Sequence, residues 1–249
     1  MENRGSGLQP RNRPAIRRRY DGSRRAAAAA ATRHRIVEAA AACFDELGYR
    51  RTTLVAVAER AGVSVESVSA AGPKRELMIA AFSLSFAGEE TEGSLSTREP
   101  WASALRAPRE RLADALAEVI VTGQARGIGL WRTLVAAVRD EPELEPHYAA
   151  LAGRRRADNL VAVEVLHERG VLRQGVPVEE HADTVALLTG FDPYQLYVRD
   201  FGWTETALRA WTSRMFETLV LGEAVAGTVR ISGGGARGGY SEGHERPAG

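Results

Sequence analysis

A chain of 249 residues with 44% hydrophobic and 26% charged side chains can bury a substantial core and has the composition of an ordinary soluble protein. No apolar run approaches the roughly 20 residues a bilayer demands, no apolar segment follows the N-terminal arginines as in a secretory signal, and the lone Cys43 excludes an internal disulfide. These features exclude a membrane or disulfide-stapled class and point to the cytoplasm. The net charge of +1 hides an asymmetry: residues 1–25 hold eight arginines against Glu2 and Asp21, or +6, which leaves about −5 for the rest. A basic arm on a mildly acidic body suggests a polyanion near the N-terminus.

In chain order, residues 1–24 carry Gly, Pro and Arg without apolar periodicity and read as a disordered arm. A helix is expected from about Ser23 through the alanine tract to Leu47, with Ile36, Ala40, Cys43, Phe44 and Leu47 on one face and Gly48 as its cap. Thr52 or Thr53 can cap a short helix whose inward positions are Leu54, Val57, Ala58 and Ala61. Gly62 breaks it, Ser64 caps a third helix through Ala71, and a fourth from Lys74 carries Leu77, Met78, Ala81, Phe82 and Phe86. Residues 88–107 read as a linker or long loop.

Beyond it, Pro108 opens a helix to about Gln124, Ile128–Arg139 forms another, and Pro142 starts a long one reaching about His167. Val178–Thr189, Pro193–Arg199 and Thr204–Gly222 complete the set, and residues 227–249 form a Gly-, Arg- and Ser-rich disordered tail. No stretch alternates with period two. The expected fold is all-α with about nine to ten helices: an N-terminal three-helix unit plus a linking fourth helix (25–87), the linker (88–107), and a C-terminal helical domain (108–226).

The stretch from Thr53 to Leu77, TLVAVAERAGVSVESVSAAGPKREL, carries the most information. It pairs two short helices across a tight glycine turn, with Val57, Ala61, Val63, Val68 and Ala71 as a buried seam and Ala58 small enough for a close crossing. Ser64, Val65, Glu66, Ser67, Ser69 and Ala70 belong to a short second helix with a thin outward face, suited to a major groove roughly 12 Å wide. Glu66 could accept a hydrogen bond from a cytosine amino group or simply support its helix.

The order and spacing of Ile36, Val37, Ala39, Ala40, Phe44, Gly48, Tyr49, Thr52, Thr53, Val57, Ala58, Ala61, Gly62, Val63, Ser64, Val68, Gly72, Lys74 and Leu77 resemble the TetR/AcrR family of transcriptional regulators. The segment from Asp192 to Trp203 is similar to the end of the sensor domain in one subgroup. The resemblance implies a DNA-binding regulator, as a rule a repressor, that dimerises through its last two long helices and leaves a palindromic operator when a small organic ligand binds. It implies phosphate contacts from Thr53 and Lys74, and arm contacts from Arg24 and Arg25 together with Arg17, Arg18 and Arg19. It also implies a sensor pocket, for which Trp131, His147, Tyr148, Asn159, Tyr194 and Trp203 are candidates.

Two departures stand out: Ser69 occupies the place of the family's recognition-helix Tyr, and the following Phe is missing, since Ala71 runs directly into Gly72. They predict weaker DNA binding and a looser recognition helix, and they support an alternative: a ligand- or protein-binding helical dimer without specific DNA recognition. An enzyme is not indicated. Glu164 and His167 form a lone Glu-x-x-His where di-iron bundles need two, no nucleophile motif is present, and no catalytic residue, metal ligand or cofactor is called for. Arg154, Arg155 and Arg156 read as a solvated face, with an anionic-ligand role as the lesser option.

Overall fold

A computed structural model describes residues 16–90 and 93–222, with side chains from Arg24 onward. The expected arm over residues 1–15, the tail at 227–249 and the side chains of Arg17, Arg18 and Arg19 lie outside the described residues. Within them the chain forms nine α-helices, short 3-10 and π turns, and no strand. The all-α expectation holds.

Helix α1 (Ile16–Arg51) begins well before Ser23, so part of the expected disordered arm is helical instead. Six successive alanines, Ala26–Ala31, supply the strongest helix former there is, and residues 24–31 are all exposed, so propensity rather than packing holds this stretch. The helix kinks at Gly48 (φ 74°, ψ 167°). Thr52, fully buried, seals the kink: its hydroxyl bridges the carbonyls of Cys43 (3.0 Å) and Gly48 (2.9 Å).

Helices α2 (Leu54–Ala61), α3 (Val65–Ala71) and α4 (Lys74–Ala87) follow as expected. Residues 88–107 differ from a loose linker, because they contain a 3-10 turn at Leu95–Thr97 and helix α5 (Trp101–Leu105). The physical reason lies in long-range contacts. Ala102, Ala104 and Leu105 are buried, and the serines of the polar stretch bind one carboxylate: Asp158 accepts from Ser94 Oγ and from the Ser96 amide (3.3 Å).

Helix α6 (Arg109–Asp140) runs unbroken where two helices were expected. Its glycines are contact points and not breaks. A Cβ at Gly123 would lie 2.9 Å from the Phe86 ring, and one at Gly127 would lie 3.0 Å from the Phe191 ring. Helices α7 (Glu145–Glu168) and α8 (Val178–Thr189) come next, then a π turn at Tyr194–Asp200, and α9 (Glu205–Met215) continues into a second π turn at Phe216–Val220.

Two apolar clusters hold these elements. One joins α1–α4 to the middle of α6 and to Leu144, Leu151 and Phe191; the other joins α5, the first half of α6, the end of α7, α8 and the end of α9. The first contains an aromatic ladder. Phe82 and Phe191 each touch the other and both Phe86 and Trp131, with ring centroids 5.0–6.1 Å apart, Phe86 continues to Trp101 at 5.6 Å, and Trp131 continues to Tyr148 at 5.9 Å. Through this ladder α4 is packed directly onto the C-terminal helices.

Candidate functional site

The helix pair α2–α3 is built by local rules. Thr53 is the N-cap of α2, its hydroxyl accepting from the Ala56 amide at 3.1 Å. Gly62 closes the helix in the left-handed region (φ 65°, ψ 41°), which costs a glycine little. Its neighbour Val63 then donates back to the Ala58 carbonyl at 3.1 Å, turning the chain. Ser64 caps α3 by accepting from the Ser67 amide at 3.2 Å.

Val68 is fully buried beneath α3, while Ser64, Val65, Glu66, Ser69 and Ala70 are exposed and Ser67 is half-buried. Glu66 bends to its own helix end: hydrogen bonds from its own amide and from Ser64 hold its carboxyl below the usual range. That geometry matches the helix-supporting reading of Glu66. The outward face of α3 is therefore thin and small, with Glu66 as its one charged side chain.

The end of α3 is tied down by a side chain that sequence reasoning did not find. Arg33 on α1 donates from Nη1 to the carbonyl of Ala71, the last residue of α3, at 2.6 Å. The same guanidinium pairs with Glu90 beyond α4, through Nε at 2.9 Å and Nη2 at 2.8 Å. One cation thus ties α1, the C-terminus of α3 and the exit of α4, and a cation suits the negative end of a helix.

Lys74, at the first turn of α4, is neither a free surface lysine nor fully buried. Its Nζ sits 4.3 Å over the Tyr49 ring and donates to the Arg50 carbonyl at 3.4 Å. Desolvation pulls its pKa below the ordinary lysine value, with Glu141 and Glu143 opposing. Tyr49 itself stacks on Phe44 and donates its hydroxyl to Glu143 at 3.4 Å, which links the N-terminal helices to the turn between α6 and α7. Burial and the nearby Glu143 push the Tyr49 phenol up to about 12. Arg24 and Arg25 are exposed on α1, two turns N-terminal to Arg33.

A second feature lies among α4–α8. A cavity of about 60 Å³ is walled by Phe86, Leu116, Ile120, Ala162, Val163, Val185 and Phe216, with Trp101, Arg155, Asp158, Asn159 and Thr189 at its polar side. A neighbouring cavity of about 260 Å³ shares Phe86, Leu95, Arg155 and Asp158. Of the sensor candidates, Asn159 lines the smaller cavity, and its side-chain oxygen accepts from Thr189 at 3.3 Å. The others are not gathered there. Trp131 and Tyr148 belong to the aromatic ladder, and Tyr194 is buried with its hydroxyl on Glu205 at 3.0 Å. His147 faces the surface beside α1 and α4, and Trp203 stacks on Tyr197 at 4.5 Å.

Arg155 departs from the solvated face expected of the arginine run. Arg154 and Arg156 are exposed, whereas the Arg155 guanidinium packs over Trp131 (5.1 Å) and Phe191 (5.6 Å). Desolvation draws its pKa below the ordinary arginine value, opposed by Tyr148 and Asp192. The signal was present in the sequence: successive helical residues point about 100° apart, so three in a row cannot share one face.

Among the described residues no cluster of three or more His, Cys, Asp or Glu side chains could hold a metal ion, and no helix is long and apolar enough to cross a membrane.

Residues 36–71 match the family model of bacterial regulatory proteins of the tetR family. No protein of curated function matches the chain by sequence. Among solved structures, the SmeT–triclosan complex superposes with a TM-score of 0.56 at 19% identity, over 78% of this chain and 93% of that one. A Saccharomonospora viridis protein in complex with choline gives 0.55 at 16%, over 76% and 97%. NalD, the secondary repressor of the MexAB-OprM multidrug efflux pump in Pseudomonas aeruginosa, gives 0.50 at 16%, over 78% and 97%. At such identities the likeness is one of fold. Residues 36–71, which contain the α2–α3 helix-turn-helix, thus match the tetR-family model, and the chain as a whole shares the all-helical fold of these solved structures.

Proposed function

We propose that the protein is a cytoplasmic transcriptional repressor that binds a palindromic operator as a homodimer and leaves it when a small organic ligand enters the cavity among α4–α8. The observation that carries the reading is the build of α3: Val68 anchors it from below, Arg33 holds its end, and a thin outward face of Ser64, Val65, Ser69 and Ala70 is left for a major groove. Thr53, the N-cap of α2, would meet a phosphate through that helix N-terminus, while Lys74 would have to leave the Tyr49 ring to reach one.

Dimerisation suits α8 and the end of α9, where Leu187 is 60% exposed and Leu219 44% exposed. A two-fold axis there would set two α3 helices one DNA turn, about 34–36 Å, apart. Coupling would pass through Phe86. It borders both cavities, sits on α4, and α4 begins three residues after the end of α3. A ligand that favours a shifted Phe86 also favours a shifted α3, and the population moves accordingly.

A second reading is favoured by a specific observation: the residues from Ser64 to Ala71 include no Arg, Asn or Gln, and Glu66 is turned to its own helix. Such a surface could belong to a helical dimer that binds a ligand or protein without reading DNA. Footprinting on DNA upstream of the protein's own gene separates the two. Palindrome-centred protection supports the repressor, and uniform coating that vanishes with salt supports the second reading.

A further inference from the structure

We propose that the cavity selects a small organic anion, an apolar or aromatic carboxylate, with Arg155 as its counter-charge; this rests on the reading of the cavity as the ligand site. Arg155 lines both this cavity and the neighbouring one of about 260 Å³. Among the described residues it makes no hydrogen bond and no ion pair within 4 Å; it packs on the Trp131 and Phe191 rings, with Tyr148 and Asp192 acting on it only electrostatically. The neighbouring Arg156, by contrast, reaches Asp183 at 3.3 Å. A planar fork of five donors, packed among rings with none of the donors engaged, matches the geometry of a carboxylate. An incoming anion would also supply the direct, hydrogen-bonded partner that Asp192 and Tyr148 do not provide to this partly desolvated cation.

The other polar groups of the wall point the same way. Asp158, three residues further along α7, lines both cavities, but its carboxylate is engaged by Ser94 and Ser96. Its Oδ1 is thereby occupied, so a cationic ligand would meet a carboxylate already partly satisfied. The Trp101 indole N–H is buried in the wall of the smaller cavity without an acceptor. Asn159 has its oxygen occupied by Thr189, which leaves its amide N–H groups available. Arg155, the Trp101 indole and the Asn159 amide thus offer donors, so a ligand that carries acceptors complements them. Its body must be apolar, because Phe86, Leu116, Ile120 and Phe216 form the rest of the surface.

The test is calorimetric titration of the full chain with three probes of one shape: 4-phenylbutyrate, 4-phenylbutanol and 4-phenylbutylamine. The wild type should bind the carboxylate at least about tenfold more tightly than the alcohol, with the amine weakest, as expected for a charge-assisted bidentate pair. Arg155→Met keeps an apolar stem against the rings; it should lose that tenfold preference while its affinity for the alcohol stays within about twofold. Arg155→Lys should keep part of the preference, because it retains the charge without the fork. Ala162→Phe, which fills the cavity, should abolish binding of all three.

If the wild type binds carboxylate and alcohol equally, and Ala162→Phe abolishes both, the cavity stands as a ligand site and the anion assignment is overturned. A carboxylate preference that survives Arg155→Met overturns the role of Arg155. Absence of binding by all three probes, or binding that ignores Ala162→Phe, overturns the cavity reading and this proposal together. The wild-type comparison decides the ligand class even where a variant fails to fold.

Discussion

Replacing Arg33 with methionine removes the tie on the end of α3 while keeping most of the aliphatic stem. Hydrogen bonds to charged groups contribute roughly 1.5–3 kcal/mol when well formed. The Arg33 side chain is 44% exposed, so solvent screening cuts that figure, and its ion pair with Glu90 adds little. A loss of about 1 kcal/mol confined to α3 is the balanced expectation. That corresponds to a roughly fivefold rise in the local opening equilibrium of α3. Native-state amide exchange reads it directly. The Val68–Ala71 amides of Arg33→Met should exchange about fivefold faster than in the wild type, whereas those of α2, held by the Thr53 cap and Val57, should not change. Unchanged exchange in α3, or equal acceleration in α2 and α3, would refute the idea that Arg33 ties down the end of α3.

Three further outcomes follow from the packing. Gly123→Ala should cost about 1–3 kcal/mol in urea unfolding, because the added methyl meets the buried Phe86 ring at 2.9 Å. Gly153→Ala, with open space around it, should gain about 0.5–1 kcal/mol, and equal effects at the two sites would contradict the close-approach account of α6. The Tyr49 phenol is raised to about 12 by burial and Glu143, so its contribution is complete below pH 10 and is lost as pH rises toward 12. Tyr49→Phe should therefore flatten the alkaline fall in stability by about 1–3 kcal/mol over that window, and an unaltered slope would speak against it. Leu187→Glu should turn a dimer into monomers in sedimentation at micromolar concentration, and a persistent dimer would move the interface away from α8.

The helix-turn-helix was legible in the sequence because its determinants are local. The Thr53 and Ser64 caps, the Gly62 turn and the Val57–Val68 seam all lie within one short window, and each acts on its neighbours. Gly123 and Gly127 misled for the opposite reason. Read locally they interrupt a helix; in the fold they admit Phe86 and Phe191, which arrive from distant segments. Arg33 was invisible because its task depends on where the end of α3 crosses α1. Among the sensor candidates, aromatic character could not distinguish a ladder from a pocket. Trp131 and Tyr148 stack with each other, while the cavity is lined by Phe86, Trp101 and Phe216. The helical phase of Arg155 relative to Arg154 and Arg156 was a usable clue that charge alone concealed.

The most direct test of the account is selection of bound sequences from a random duplex DNA pool by the full-length protein at physiological salt. The account predicts enrichment of an inverted repeat with half-sites centred about one helical turn apart, roughly 10–10.5 base pairs. It also predicts that this enrichment collapses when Ala70→Glu places a carboxylate on the outward face of α3. Failure of any motif to enrich, or an enriched motif that Ala70→Glu leaves intact, would contradict the claim that α3 reads an operator.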